Sequence, residues 1–392
     1  MNYKFALLMV ILCHNLGTTQ EKKTVTNQKN FPEFSWDTMP LYMHLRKGTA
    51  FNKKEVAFLA KFPLITFEKT TGSKTYGSTE SGTIEAAKAV KMINPKTKIL
   101  YYKNVVINWG AYKEDEVFLK EYPDALLRNA DEKKALMPNG KTGFFDISQE
   151  YIRSYWLNHI RKVTDNPHID GVFLDANIKA LVPAFFNSRV GTEKQKEIEL
   201  GYLSMMQQLH DRFGKDNLLI ANIIRVRPEF KDEGQEYLKF FNGSYIEGFE
   251  HENFGMTYAE YLSKGIQAVQ NAAQNGNIIA MSLGIGKALQ NSEIGFDDKR
   301  GQLQNTEKIK ERIDYLLAIF LVCAEKYSYV YPHDGYGIEK SSIWMKTFPQ
   351  YNRKLGPPKA AAKKEGYVYT RSFEYVDVWL DIEQQKAVLH WK

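Results

Sequence analysis

Cysteine is nearly absent: 392 residues hold two, Cys13 and Cys323. Cys13 ends an apolar stretch that runs from Phe5, with Lys4 before it and the small residues Gly17 and Thr18 after it. That is the pattern of an export signal over residues 1–20, too short to span a bilayer. Leu12 stands before Cys13, where a lipid-anchoring signal has a small residue, so the reading is a secreted or periplasmic protein rather than a lipoprotein. Removal of the leader leaves Cys323 alone, which excludes an internal disulfide even in an oxidising compartment. Cys323 falls in the apolar run Leu316–Ala324 and reads as a small buried hydrophobe. No later stretch is apolar enough for long enough to cross a membrane.

Other absences narrow the chemistry. Gly284-Ile285-Gly286-Lys287 has Met281 where a phosphate loop needs its first glycine, and Ala288 where it needs Ser or Thr. His251-Glu252 opens a zinc-protease pattern, but Gly255 replaces the second histidine. No Gly-x-Ser-x-Gly elbow occurs, and the eight histidines show no metal-ligand spacing. Neither a metal nor a cofactor is called for. The net charge of +7 is spread along the chain with no arginine-rich arm, which argues against a nucleic-acid partner and favours an anionic one such as an acidic or sulfated glycan. Nothing in the sequence sets an oligomeric state.

What the chain does contain is 43% hydrophobic residues and 13% aromatic ones, enough for a large core. Its organising stretch is His168 to Asn177. Gly171–Leu174 is a short apolar run ending in Asp175. Helical spacing precedes it (Ile152, Trp156, Ile160, Val163) and follows it (Ile198, Tyr202, Met206, Leu209, Phe213). An apolar strand between amphipathic helices implies a parallel sheet covered by helices. Further strands read at Pro40–Leu45, Phe62–Glu68, Lys98–Asn104, Asn217–Asn222, Gly243–Phe249, Asn277–Leu283 and Tyr327–Tyr331, with helices at Glu85–Ile93, Tyr258–Gln274 and Ile309–Ala324. Residues 72–82 read as a loop. Val105–Asp146 is a connection long enough to be functional or to hide a short helix.

Eight strands alternating with helices fit an α/β fold of the (β/α)8 TIM-barrel type. The rival, an open doubly wound sheet, lacks its phosphate loop. Gly356-Pro357-Pro358 then marks a linker. The division is a signal at 1–20, a barrel over 21–355, and a C-terminal β hairpin over 356–392 packed on the barrel. In that hairpin Val376, Val378 and Leu380 would face Ala387, Leu389 and Trp391.

A barrel gathers its strand ends at one mouth. Polar groups stand at or near those ends: His44, Glu68, Lys103, Asn104, Asp175, Asn177, Asn222, Glu247, Glu250, His333 and Asp334. Each alone has a duller reading, as a helix cap, a turn residue or a core histidine. Together they suit glycoside hydrolysis, which needs one ionised carboxylate and one protonated carboxylic acid across one bond. Asp175 supplies the first. Glu247, or Glu250 in its place, supplies the second. Trp109 and Tyr245 are candidate sugar platforms, and Asn104, Asn177 and Asn222 candidate hydroxyl partners.

Asp170-Gly171-Val172-Phe173-Leu174-Asp175-Ala176-Asn177 resembles the fourth-strand motif of α-galactosidase-like and polygalactosaminidase-like barrels, where an Asp at this strand end is catalytic. With Tyr101-Tyr102-Lys103-Asn104, Ile246-Glu247-Gly248-Phe249 and Tyr369-Thr370-Arg371-Ser372-Phe373, the chain also resembles the hypothetical glycosyl hydrolase 15 group over most of residues 35–392. The resemblance implies a TIM barrel and glycosidase-like chemistry on a polysaccharide or oligosaccharide. The fifth strand presents Asn222 where the α-amylase clan has its acid, which sets this chain apart from that type. Two readings stand against the hydrolase. One is a non-catalytic carbohydrate-binding barrel at the cell surface. The other, an exported esterase or deacetylase, lacks its nucleophile elbow and metal triad.

Overall fold

The computed structural model describes residues 30–285, 306–341 and 343–392. The leader read at 1–20 and the failed phosphate-loop positions 286–288 lie outside them. In chain order the elements are Met43–Leu45 (β1), Lys53–Leu59 (α1), Leu64–Phe67 (β2), Ser73–Tyr76 (α2), Thr79–Ile93 (α3), Lys98–Asn104 (β3), Ile107–Asn108 (β4), Lys113–Glu121 (α4), Gly143–Phe144 (β5), Glu150–Thr164 (α5) and Gly171–Asp175 (β6). Then come Asn177–Leu181 (α6), Pro183–Val190 (α7), Thr192–Phe213 (α8), Leu218–Asn222 (β7), Gly243–Ile246 (β8), Tyr258–Gln274 (α9), Ile278–Gly284 (β9), Thr306–Cys323 (α10) and Ser328–His333 (β10).

Eight of these strands form one sheet in the order β1-β2-β3-β6-β7-β8-β9-β10, and every neighbouring pair is parallel. The sheet closes on itself. Tyr42 N donates to Val330 O at 3.2 Å, Val330 N donates to Pro40 O at 2.9 Å, and isolated bridges join Leu41 to Val330 and Arg46 to Gly337. The fold is therefore the (β/α)8 barrel that the alternation of strands and helices implies.

Local chemistry sets the helix starts. Asn52 and Glu55 form a reciprocal capping box on α1, as Thr257 and Glu260 do on α9. Ser78 accepts from Ser81 N and starts α3 six residues before the expected Glu85. Residues 72–82, read as a loop from their Gly and Ser content, thus hold α2 and the first turn of α3. Serine at an N-cap looks like loop composition until its partner is seen. The long connection carries the β4–β5 pair and hides α4, one of the two options it left open. Gly171 opens β6 because no side chain fits there: a Cβ would lie 2.0 Å from Leu218 O on β7.

Among the described residues only short 3-10 turns follow β10 before a second sheet begins. That sheet has four antiparallel strands: Lys363–Glu365 (β11), Val368–Ser372 (β12), Val376–Asp381 (β13) and Lys386–Trp391 (β14). The expected hairpin is its second half, and the predicted facing pairs Val376–Trp391, Val378–Leu389 and Leu380–Ala387 are in register. The missed β11 is Lys-Lys-Glu and fully exposed, so it has no apolar alternation to read.

The sheet packs on α10, and Arg371 fastens it there. Its guanidinium is buried, donating to Leu321 O (3.0 Å) and Ala324 O (2.6 Å) at the end of α10, to Ala360 O (3.1 Å) and to Glu325 (2.6 Å). A cation on the last carbonyls of a helix satisfies their orphaned acceptors. We expect Arg371→Met to cost about 2–3 kcal/mol, because those acceptors stay buried. We expect deletion of 356–392 to expose α10 and lower both Tm and solubility. Thermal melts of the two variants check this, and an unchanged Tm for the truncation would refute the packing role.

Candidate active site

Barrel strands point alternate side chains inward and outward. On β6 the inward set ends in Asp175. Ala176 then takes a left-handed conformation (φ 64°), turning the chain sharply so that its N–H donates to Asp175 Oδ1 at 2.7 Å. The Tyr102 hydroxyl, inward on neighbouring β3, donates to Asp175 Oδ2. Asn222 ends β7, and its Nδ2 donates to Asp175 Oδ1 at 3.2 Å and to Glu247 Oε2 at 3.1 Å. One amide nitrogen thus bonds both acids. Their facing oxygens cannot be further apart than the sum of those two contacts.

Glu247 follows the last residue of β8. The next residue, Gly248, has φ +58°, and a Cβ there would lie 2.7 Å from His251 Nε2 and 2.9 Å from Arg225 Nη1. The missing side chain lets both groups close over the strand end. Tyr336 donates to Glu247 Oε1 at 3.0 Å, and Arg225 Nη2 lies 3.9 Å from Oε2. The Glu247 side chain keeps 36% of its exposure toward the mouth. Burial on its inner side and the facing Asp175 carboxylate push its pKa up, against Arg225 and the Tyr336 hydroxyl. The site therefore pairs two carboxyl groups of which one is biased toward the protonated form.

At the end of β2, Glu68 is buried and bonded to Arg46 and Lys69. Burial works against its charge, but Lys69, Arg46 and His44 outweigh it and hold the pKa at about 2. His44 lies on the barrel axis between the rings of Phe173, Tyr245 and Tyr336, each about 5 Å away. Its burial lowers its pKa to about 4. Trp109, 37% exposed, stands at the rim with Lys69 Nζ 5.4 Å from its ring centroid.

Other candidates are engaged elsewhere. Lys103 points outward from β3, because Tyr102 before it points in. It is buried behind the barrel, with Nζ 2.7 and 2.9 Å from the Asp115 carboxylate of α4 and 3.4 Å from His159 of α5. Tyr245 is buried in the barrel and bonded to Tyr336, so it offers no open face. Asn177 is fully buried and committed to Leu174 O, Asn222 O and the Tyr202 hydroxyl. Asn104 accepts from Val106 N and Ile107 N and shapes the turn after β3. Glu250 accepts two bonds from Arg312 and one from the Tyr258 hydroxyl, a set that leaves it no contact with Asp175 or Glu247. His333 accepts from Gly335 N at 3.0 Å, its ring stacked between Tyr331 and Tyr336, and Asp334 accepts from Ser341. Both hold the turn after β10.

Tyr102, Lys69, Arg225 and Tyr336 touch the acid pair or its neighbours and are not among the site residues expected from the sequence, although Lys69 is a readable partner for Glu68. Tyr102 was findable, since it sits two residues before Asn104 on the inward face. Arg225 and Tyr336 come from loops, where no periodicity marks direction. Among the described residues no group of His, Cys, Asp and Glu could hold a metal ion.

A (β/α)8 barrel gathers its reactive groups at the strand ends, and here two acids stand there. The chain belongs to hypothetical glycosyl hydrolase family 15, which matches residues 91–376. No curated protein matches this chain. Among solved structures it is similar to the noncanonic maltogenic α-amylase AmyB from Thermotoga neapolitana, at 13% identity and TM-score 0.50 over 88% of this chain and 86% of that one. It is also similar to the GH36 α-galactosidase AgaB from Geobacillus stearothermophilus, at 11% identity and TM-score 0.50 over 89% of this chain and 47% of that one. The chain spans about half the length of the α-galactosidases it matches. At these identities the likeness is one of fold.

Proposed function

We propose that this protein is a secreted glycoside hydrolase acting on a polysaccharide or oligosaccharide, with Asp175 as nucleophile and Glu247 as general acid and base. The catalytic barrel would be residues 21–355, and 356–392 its accessory sheet. The observation that carries the reading is the Asn222 amide shared by both carboxyls. It holds the facing oxygens of both acids on one donor, close enough to act on one glycosidic bond, and we take the retaining route as the closer-set of the two geometries. It also favours an enzyme over the binding barrel, which needs no second acid.

The steps follow from this pairing. Glu247 gives its proton to the glycosidic oxygen as the C1–O bond breaks, and Asp175 forms a bond to C1. Glu247, now ionised, takes a proton from water, whose oxygen displaces Asp175 and frees the sugar. Tyr102, Ala176 N–H and Asn222 hold Asp175 in place for attack. An anionic glycan suits the mouth, where Arg46, Lys69 and Arg225 stand close to the acids.

Glu247 must enter protonated, so kcat/KM falls as pH rises through its raised pKa. Arg225 and Tyr336 stabilise its charged form. Arg225→Met and Tyr336→Phe should each raise that pKa further and move the alkaline limb to higher pH. A limb that stays put or moves to lower pH in both variants would exclude Glu247 as the acid. Glu247→Gln should harm substrates with poor leaving groups most, and the anomeric form of the first product, read by NMR, tests retention.

A further inference from the structure

Glu68 is one carboxylate gripped by two cations, Arg46 and, at 3.1 Å, Lys69. His44 Nε2 is 3.9 Å away, but its low pKa leaves it neutral near pH 7. Of the two cations, Lys69 is the one that lies against Trp109 and Tyr102. Its Nζ lies 4.6 Å from the Tyr102 ring centroid and 5.4 Å from that of Trp109. Aromatic faces hold a cation without neutralising it. The same Nζ is 3.5 Å from the Tyr102 hydroxyl, which donates to Asp175. A single tyrosine separates the ammonium from the carboxylate assigned as nucleophile.

Resting on the hydrolase reading for where the sugar sits, we infer that Lys69 and Trp109 form a subsite for a pyranose carrying one negative group, a uronate carboxylate or a sulfate ester. The ring lies on Trp109, and its anion takes the ammonium that Glu68 shares with Arg46. Charge then balances: Glu68 keeps Arg46, and the substrate anion gains Lys69. A neutral sugar gains nothing from Lys69, which stays on Glu68. Arg225, beside Glu247 at 3.9 Å, puts a cation on the other flank of the acid pair as well.

The rival role for Lys69 is purely structural, as a counterion for Glu68. Binding separates the two. In an Asp175→Asn background, affinity is measured by calorimetry for polygalacturonate, sulfated galactan and neutral galactan, with and without Lys69→Met. Methionine keeps most of the side chain's length and removes the charge. One of the two acidic polymers should bind at least about tenfold tighter than the neutral one, and the advantage should shrink with added salt. Whichever acidic polymer wins identifies the group. Lys69→Met should erase the advantage and leave neutral binding unchanged, while Tm falls because buried Glu68 keeps only Arg46 as its close cation. Equal affinity for acidic and neutral polymers, no binding to any of the three, or parallel losses for all in Lys69→Met would each overturn the subsite. The hydrolase reading is decided separately, by product release from the wild-type protein, and can stand without it.

Discussion

Asp175→Asn should leave glycan binding near normal and lower turnover by at least about a thousandfold, roughly 4 kcal/mol of barrier. The substitution keeps the shape of the side chain. It still presents one oxygen to Ala176 N and Asn222 Nδ2, and the Tyr102 hydroxyl can reverse and accept from the new amide in place of donating to Oδ2. The fold therefore has no reason to change. What disappears is the charge that stabilises the oxocarbenium-like transition state and the atom that bonds to C1. Comparing kcat and Kd for the two proteins on a verified substrate is the measurement. Near-normal turnover would mean that the strand-end aspartate only anchors its turn. Added azide should restore part of the lost rate, with inverted product, if the nucleophile assignment is right.

The second large effect falls on stability. Lys103→Met should destabilise the fold by about 3–5 kcal/mol, because it strands the Asp115 carboxylate in the barrel wall. Burial alone would raise the pKa of Asp115, but Lys103 and His159 hold it well below the usual carboxylate range. Without Lys103 the remaining partners are the Tyr155 hydroxyl at 2.7 Å and His159 at 3.4 Å. The sign of the pH dependence follows. Burial and the Lys103 charge both hold the His159 pKa down, whereas Asp115 raises it. Once Lys103 is gone, His159 gains a proton more easily in the folded state than in the native protein. Wherever the folded variant binds more protons than the folded native protein, its penalty shrinks as pH falls. The penalty should accordingly be smaller near pH 5 than near pH 8. Lys103→Met/Asp115→Leu should recover much of the loss, since it removes both charges. Denaturant melts at the two pH values decide the matter, and a pH-independent loss would show that His159 takes no part.

Much of the barrel was readable because its strands are short apolar runs and its helices keep a 3.6-residue period. Lys98–Asn104 and Tyr258–Gln274 fall on the expected bounds. The mouth was only partly readable. Asp175, Asn222 and Glu247 converge because closure aligns strand ends, and that follows from topology. Lys103 and Tyr102 show the limit. Both are near the same strand end, and only the period of two, counted from Asn104, tells which one enters the barrel. Beyond the strands no such rule operates. Arg225, Tyr336 and Glu250 sit in loops whose paths depend on partners far away in sequence, such as Arg312 for Glu250.

The joint between β1 and β10 has a consequence for the order of assembly. It brings residue 41 against residue 330 through a few isolated contacts rather than a full ladder. Contacts so distant along the chain carry a high loop-closure cost and form late. On a ribosome the first strand must wait for nearly the whole polypeptide before it finds its neighbour. Until then His44 and Glu68 stand at a free sheet edge, and the segments bearing Asp175 and Glu247 are already made. The nascent chain thus holds its acids before it has a mouth, and the last strand to arrive turns an open sheet into a cleft.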